Sequence, residues 1–283
     1  MSTLSSQALL IADPLEHLIN RDGIEVPMLP EIANKALILA QNADSDAGEM
    51  AQLIQSDQSL AGHVMRIANS AAYTPMSNLV SLQQAIARLG MGVISEIALT
   101  AAIGAKMFNT PGYEKYVAGV WHHALATSLW TKEVARHGRS NVEVAFLAGL
   151  LHSIGRPAVL QTIIELAKQQ QVDLTEQDIH QLENTYCHRV SEAVVNVWKM
   201  PRLVIEAVSA YTDSNNALTT SIQSAQVTIG ARLATFMLTP ELLDKETLFV
   251  LPELTTLNLY QDEVDHLLNQ TDAIKGRLEG LLS

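Results

Sequence analysis

Apolar residues recur along almost the whole chain at the three- and four-residue spacing of amphipathic helices. Residues 31–41 show the pattern clearly, because Ile32, Ala36, Leu39 and Ala40 fall near one stripe. The strict alternation of apolar and polar residues that indicates β-strands is not found in convincing form. The pattern therefore predicts an all-α protein.

Short polar signatures indicate where these helices begin. In a capping box, the side chain of the first residue accepts a hydrogen bond from the backbone N–H three residues later. The side chain of that later residue in turn accepts one from the backbone N–H of the first. Three pairs of residues fit this pattern: Asp46 with Glu49, Ser81 with Gln84, and Ser140 with Glu143. Gly90 fits a helix C-terminus, and Pro201 fits a first helical turn, where its missing N–H costs nothing.

A turn over residues 110–113 is the predicted border between two helical lobes, at about 22–109 and 114–215. Residues 1–21 are predicted as an N-terminal helical segment, and residues 216–283 as a helical C-terminal extension. The last helix of this extension carries an apolar stripe, which is expected to pack onto the chain or onto a second subunit. Its members are Val264, Leu267, Leu268, Ile274 and Leu278.

Composition narrows the range of partners and compartments. The 30 acidic residues outnumber the 18 basic ones, and a net charge of −12 argues against general nucleic-acid binding. The single Cys187 excludes an intramolecular disulfide and fits a reducing cytosol. The most apolar stretch, Val93–Phe108, is interrupted by Glu96 and Lys106 and is too short to span a membrane. A cytoplasmic protein is expected.

Histidines on predicted helices are the candidates for chemistry. His152 ends an apolar helix just before a glycine turn, His188 begins an amphipathic run, and His123 follows His122 after Trp121. Adjacent helical residues point about 100° apart, so at most one of His122 and His123 can face a given site. From spacing alone, each histidine can be a metal ligand or a structural residue: a core histidine at position 152, a structural histidine at 122 or 123, and a helix N-terminal or capping histidine at 188. No phosphate-binding loop, nucleophile elbow or H-E-x-x-H motif is present.

Several spaced segments together resemble the HDOD family, the HD-related output domains of bacterial signalling proteins. The resemblance covers about residues 22–215, and the segments occur in the family's order. They are VPMLPEIANKAL at 26–37, IQSDQSLAGHVMRIANSAAY at 54–73, SLQQAIARLG at 81–90, VWHHALATSLW at 120–130, FLAGLLHSIGR at 146–156 and TYCHRVSEAVVNVWKMP at 185–201.

The resemblance implies a two-lobed helical fold related to HD phosphohydrolases. In active relatives, a first histidine, a His-Asp pair and a later Asp hold divalent metal. His123 matches the first histidine, His152 the histidine of the pair, and His188 a further histidine of two-metal relatives. This chain departs from the pattern at the Asp of the pair, at the lysine that usually follows the glycine, and at a later His-His pair. The residues found there are Ser153, Arg156 and Tyr211-Thr212.

The departures change the expected chemistry. A serine hydroxyl is a poor ligand at neutral pH and does not bridge two dications as a carboxylate does. We therefore expect no intact metal site, with His123, His152 and His188 as its vestiges, although three imidazoles alone could hold a single divalent metal. Arg156, beside His152 and Ser153, either forms an anion or ligand cleft with them or makes an ordinary surface ion pair.

These observations predict a non-catalytic signal-transduction module that acts by binding a protein or a ligand through a degenerate HD site. The alternative is a metal-dependent phosphohydrolase with an altered metal site. No cofactor is expected, the signalling partner is not identified by the sequence, and a homodimer is left open.

Overall fold

The computed structural model describes residues 4–21, 24–74, 79–104, 107–211 and 221–282. These residues form helices and connecting turns, with no strand among them, which confirms the predicted all-α class. The helices are α1 (Ser6–Asn20), α2 (Glu31–Gln41), α3 (Ala47–Gln55), α4 (Gln58–Ala68), α5 (Leu82–Ala102), α6 (Glu114–His137), α7 (Val142–Leu151), α8 (Gly155–Gln170), α9 (Glu176–Val197), α10 (Arg202–Ala210), α11 (Ile222–Leu238), α12 (Lys245–Leu248), α13 (Glu253–Leu257), α14 (Gln261–Leu268) and α15 (Thr271–Leu282).

Two of the three predicted caps are found, and one is displaced. Asp46 and Glu49 form a reciprocal capping box at the start of α3. Ser81 caps α5 by accepting from the N–H of Gln84, at 3.2 Å. The prediction at Ser140 is wrong, because the neighbouring Asn141 caps α7 and accepts from two backbone N–H groups. Both residue types cap well, so the choice between neighbours depends on the path of the chain.

Gly90 interrupts α5 as predicted, but the helix resumes after it. Its backbone angles of φ 84° and ψ 158° are open to glycine and costly for other residues. The helix after this kink ends at Ala102, six residues before the end of the apolar stretch Val93–Phe108.

The described helices group into two compact units that are not continuous in sequence. The first comprises Met1–Pro27 with Ala105–Gln261, and the second Met28–Gly104 with Asp262–Ser283. The first unit therefore combines the N-terminal segment with the middle of the chain, and the second combines residues 28–104 with the C-terminal segment. The predicted boundaries at 21/22, the 109–114 border and 215/216 divide the chain along its length, and they stay predictions.

The first unit is built around α6, which packs against α7 and α11. Glycines permit this close packing. A Cβ on Gly149 of α7 would lie 2.7 Å from the Cα of Ser128, and one on Gly230 of α11 would lie 2.8 Å from the backbone nitrogen of Thr131. Real Cβ atoms essentially never come within 3.0 Å of such atoms. The two glycines therefore fix how closely α7 and α11 approach α6.

The second unit contains α2–α5 together with the C-terminal helices. The predicted single terminal helix is two helices, α14 and α15, separated at residues 269–270. The apolar stripe is buried as expected, except for Leu268, which is half-buried. The buried members are Val264, Leu267, Ile274 and Leu278, joined by Leu281.

Among the residues that the structure describes, two helical stretches are long and apolar enough to cross a membrane by length and composition alone: Leu82–Ala102 and Val142–Gln170. About half of the first apolar window and most of the second are buried inside the protein. Buried core helices pass the same test, so these stretches are weak evidence for a span.

Candidate functional site

His152 caps the C-terminus of α7, a helix that is buried from Val144 onward. The side chain of His152 is itself buried, and its Nδ1 lies 2.7 Å from the carbonyl oxygen of Gly149. A carbonyl oxygen only accepts, so Nδ1 must carry the proton. In the neutral ring, Nε2 is then the acceptor nitrogen.

His123 lies in the middle of α6 and is half-buried. Its Nε2 is 2.9 Å from the hydroxyl oxygen of Thr235, which in turn donates to the carbonyl oxygen of Ala231 at 2.9 Å. Because that hydroxyl proton is already used, Nε2 of His123 is the donor to Thr235. On the other side, Nδ1 is 3.4 Å from the hydroxyl of Thr127. Both ring nitrogens of His123 therefore contact threonine hydroxyls.

The structure brings His123 and His152 together. Their ring centroids are 6.3 Å apart, although the two histidines are 29 positions apart in the chain. Tyr211 meets His152 edge-on, with ring centroids 4.9 Å apart. Its predicted companion Thr212 lies outside the described residues. We refer to His123 and His152 as the histidine pair.

His188 lies on the face of α9 that meets the junction of α7 and α8. One helical turn before it, Asn184 accepts from Nη1 of Arg156 at 2.9 Å. One turn after it, the hydroxyl of Ser191 accepts from the N–H of Gly155 at 2.9 Å. Residues at this spacing share one helix face. The Nδ1 of His188 is buried and has no hydrogen bond within the described structure.

His188 thus packs near the turn that follows His152. Its distance from the histidine pair is not established by these contacts, so the convergence of all three histidines stays a prediction.

Ser153 lies in the turn between α7 and α8, and Arg156 is the second residue of α8. The carbonyl oxygen of Ser153 accepts from the N–H of Arg156 at 3.0 Å, and both side chains are half-buried. The guanidinium of Arg156 is directed to α9, where it donates to Asn184. The predicted anion cleft of His152, Ser153 and Arg156 stays a prediction.

A buried carboxylate lies beside this arginine. Tyr116 of α6 donates its hydroxyl to Oε2 of Glu183 at 2.6 Å, and the Glu183 side chain has no exposed surface. Burial raises the pKa of Glu183, while Tyr116 and Arg156 lower it to a smaller extent. Burial, followed by the nearby Glu183, raises the pKa of Tyr116.

Sequence reasoning missed four residues of this region: Thr127 and Thr235 beside His123, and Tyr116 and Glu183 beside Arg156. Threonines on apolar helices resemble ordinary core residues. Glu183 is 67 positions from Tyr116, and Thr235 is 112 positions from His123. No local pattern in the sequence indicates pairs so far apart.

The metal implied by the resemblance can be tested against these residues. Among the described ranges, no group of three or more His, Cys, Asp or Glu side chains is arranged to hold a metal ion. A metal at His123 would have to displace a threonine hydroxyl from the ring nitrogen that it binds. A two-metal centre also needs a bridging carboxylate, and Ser153 offers a neutral hydroxyl at the matching position. These residues do not fit a two-metal centre.

Comparison with known proteins shows the family. Residues 26–214 match the HDOD domain. The chain belongs to the HDOD family. This match covers most of the region in which the sequence motifs resemble that family, from the VPMLPEIANKAL segment to the helix that carries His188.

Solved structures share the HDOD-type helical fold. A proposed metal-dependent phosphohydrolase from Shewanella amazonensis is 20% identical, with a TM-score of 0.72 over 97% of this chain and 100% of that one. An HDOD domain protein of unknown function from Geobacter sulfurreducens is 20% identical, with a TM-score of 0.70 over 98% of each chain. A proposed signal transduction protein from Marinobacter aquaeolei is 21% identical, with a TM-score of 0.66 over all of this chain and 68% of that one. At these identities the likeness shows the fold alone.

A curated relative, an uncharacterized protein of Treponema pallidum, is 20% identical over 198 residues. The match takes in 65% of this chain and only 37% of that protein. The chain therefore corresponds to little more than a third of this longer relative.

Proposed function

We propose that this chain is a non-catalytic signal-transduction module that acts by binding a protein or a ligand, with an HD-type site that no longer supports two-metal hydrolysis. One observation carries the proposal. Both ring nitrogens of His123 contact threonine hydroxyls, at 2.9 Å and 3.4 Å. An imidazole that is held in this way has hydrogen-bond partners within the protein and does not depend on a metal to satisfy it.

The residue after His152 supports the same conclusion. A two-metal hydrolase uses a carboxylate to bridge and neutralise its ions and to help activate a water. Ser153 carries no charge and cannot neutralise a second ion as a carboxylate does. A second divalent ion at this position would lack the bridging carboxylate that two-metal hydrolases use.

We propose that the partner is a signalling protein and that the module acts in the cytoplasm. The net charge of −12 disfavours a polyanionic partner such as nucleic acid. The single cysteine is compatible with a reducing compartment.

A metal-dependent phosphohydrolase with an altered site is the second candidate. The observation in its favour is the histidine pair itself, whose rings approach to 6.3 Å in a fold shared with a proposed phosphohydrolase. The two candidates differ in turnover and in bound metal, so one set of measurements separates them.

The experiment measures metal content after purification without chelator, and then turnover of cyclic dinucleotides, nucleotides and a chromogenic phosphodiester. Manganese, iron, magnesium or zinc is supplied in turn. The variants are His152→Ala and, as the matched control, His122→Ala, which removes the neighbour of His123 in sequence. We expect no turnover in any protein. Turnover that is lost in His152→Ala but kept in His122→Ala would establish the hydrolase and refute the proposal.

Ser153→Asp tests the reason for inactivity. Two-metal sites need their ligands together, and the effects of the individual ligands are strongly non-additive. We expect this variant to gain weak metal binding at most, measured by calorimetric titration with zinc or manganese. Full hydrolytic activity in Ser153→Asp would show that one carboxylate was the whole difference.

A further inference from the structure

A cavity of about 440 Å³ lies between α1 and α8, within the first unit. Small-molecule sites in proteins typically measure about 300–1,000 Å³, so this cavity has room for a small ligand. One wall comes from α1 and the segment after it, and the other wall comes from α8. Its lining residues do not include the histidine pair. We refer to this cavity as the α1–α8 pocket.

The helix that forms the first wall is held in place by contacts outside the pocket. Arg189 of α9 donates to Glu16 and to Asn20 of α1, both at 2.7 Å. The side chains of Ile11 and Leu15 on the same helix are fully buried. The pocket is therefore formed before a ligand binds, because α1 is already docked on the unit.

The apolar part of the pocket includes an unusual residue. Pro14 lies inside α1, where a proline removes one helical hydrogen bond and destabilises the helix. Its ring lines the pocket together with Leu18 of α1 and Leu166 of α8. A destabilising residue at the wall of a cavity favours a role for that cavity in binding.

The polar part of the pocket carries both signs of charge. Arg21 ends α1 one turn after His17, and both line the pocket. Glu25 lines it from the segment after α1, and Glu165 lines it from α8. Among the described residues, the side chains of Arg21 and Glu25 have no hydrogen-bond or ion-pair partner, so both can engage a ligand.

We propose that the α1–α8 pocket binds a small zwitterion of the amino-acid class that has an apolar side chain. The carboxylate of the ligand pairs with Arg21, because a planar guanidinium matches carboxylate geometry. The ammonium group of the ligand pairs with Glu25 or Glu165. The apolar side chain of the ligand packs against Leu18 and Leu166.

The mixture of charges selects this class of ligand over others. A ligand with several phosphates would bring negative charge against the two glutamates, and a polyamine would bring positive charge against Arg21. Like charges of this kind discriminate against the wrong ligand. A neutral apolar molecule would leave the charged residues without partners. A zwitterion offers each sign of charge in the pocket an opposite one.

The pocket is separate from what the family match implies. Its α1 wall precedes residues 26–214, the part of the chain that matches the HDOD domain. Binding at this pocket involves neither a metal nor turnover. A failure to bind zwitterions would therefore leave the proposed function intact, and hydrolysis at the histidine pair would leave this pocket intact.

The experiment is an NMR titration of the full chain, labelled at leucine methyl groups, with each of the standard amino acids. The signals of Leu18 and Leu166 are assigned with Leu18→Met and Leu166→Met, which nearly conserve side-chain volume. We expect an apolar amino acid to shift both signals. Its amide, which lacks the carboxylate, and its N-acetyl form, which lacks the ammonium group, should each bind about fivefold more weakly. The proposal is overturned if no amino acid shifts these signals, or if the amide and N-acetyl forms bind as tightly as the parent.

Substitutions then assign each charge of the ligand to its partner. Arg21→Gln should abolish the preference for the amino acid over its amide, and the double variant Glu25→Gln, Glu165→Gln should abolish the preference over the N-acetyl form. Each fivefold preference corresponds to about 1 kcal/mol, the upper range for one exposed ion pair. Lys168→Gln and Glu192→Gln make the same charge changes outside the pocket and must leave both preferences unchanged. A preference for the amino acid over its amide that persists in Arg21→Gln contradicts the proposal. The analogues decide it in wild type even if a variant fails to fold.

Discussion

Gly155 gives the sharpest test of how the turn after His152 is held. It begins α8, and a Cβ added there would overlap the carbonyl oxygen of Cys187. The same Cβ would lie 2.5 Å from the backbone nitrogen of Ser191 and 2.8 Å from its hydroxyl. Two of these atoms are backbone atoms of α9, so they cannot move aside without shifting the helix. The Gly155→Ala variant must therefore separate α8 from α9.

The magnitude follows from three contributions. Overpacking a close contact costs about 1–3 kcal/mol. Separation of the helices also weakens the 2.9 Å hydrogen bond from the N–H of Gly155 to Ser191, worth about 0.5–1.5 kcal/mol. Alanine recovers up to about 1 kcal/mol through its better helix propensity. We expect a net loss of about 1–3 kcal/mol in the free energy of unfolding.

Urea unfolding followed by tryptophan fluorescence measures this loss in the first unit, which contains α8 and α9. All three tryptophans, Trp121, Trp130 and Trp198, lie in the first unit. Gly119→Ala is the matched control, because a Cβ there meets no atom within 4 Å and should be neutral or stabilising by up to about 1 kcal/mol. If Gly155→Ala is as stable as Gly119→Ala, the close approach of α8 and α9 is not as described.

Three further outcomes are expected. Lys199 adopts left-handed backbone angles (φ 52°) at the end of α9, where glycine is less strained. The Lys199→Gly variant should therefore raise the free energy of unfolding in urea by about 0.5 kcal/mol, and a lower free energy of unfolding would contradict the left-handed conformation. Truncation after Asn258 removes the buried side chains of Ile274, Leu278 and Leu281, whose burial is worth about 1.5–3 kcal/mol each. The truncation should lower the helical circular dichroism signal and the melting temperature, and unchanged melting would argue against the packing of these side chains. The raised pKa of Glu183 means that its stabilising contribution is present below its unfolded pKa and is lost as pH rises through its folded pKa. Urea titrations across that window should show this fall in wild type and not in Glu183→Gln, and equal slopes would refute it.

Helix positions were predictable where the signal is local. The turn predicted over residues 110–113 directly precedes α6, which begins at Glu114, because the turn signal lies within a few adjacent residues. The start of α7 was misplaced by one cap residue, since Ser140 and Asn141 are both good caps. The break between α14 and α15 was missed because neither Gly nor Pro occurs at residues 269–270.

The candidate site was predictable only in part, because local sequence patterns do not indicate contacts between residues far apart in the chain. His123 and His152 were identified by resemblance, and the fold brings their rings to 6.3 Å. The Gly149 carbonyl that sets the proton on His152 lies only three residues before it, whereas Thr235 is 112 positions from His123. Thr235 lies on α11, and nothing in the sequence distinguishes it from other threonines on apolar helices. Sequence therefore indicated which imidazoles meet, while the hydroxyl contacts that hold them depend on how α6 and α11 pack.

The three histidines differ in a way that bears on where a ligand would contact this domain. His152 donates to a backbone carbonyl, and His123 contacts two threonine hydroxyls, so the protein itself supplies polar partners for the histidine pair. His188 differs, because its buried Nδ1 has no hydrogen bond within the described residues. Its neighbours on the same face, Asn184 and Ser191, are already engaged by Arg156 and Gly155. A buried polar atom without a partner gains most from a new hydrogen bond. A ligand that contacts α9 beside His188 would therefore gain more from a new hydrogen bond than one that contacts the histidine pair.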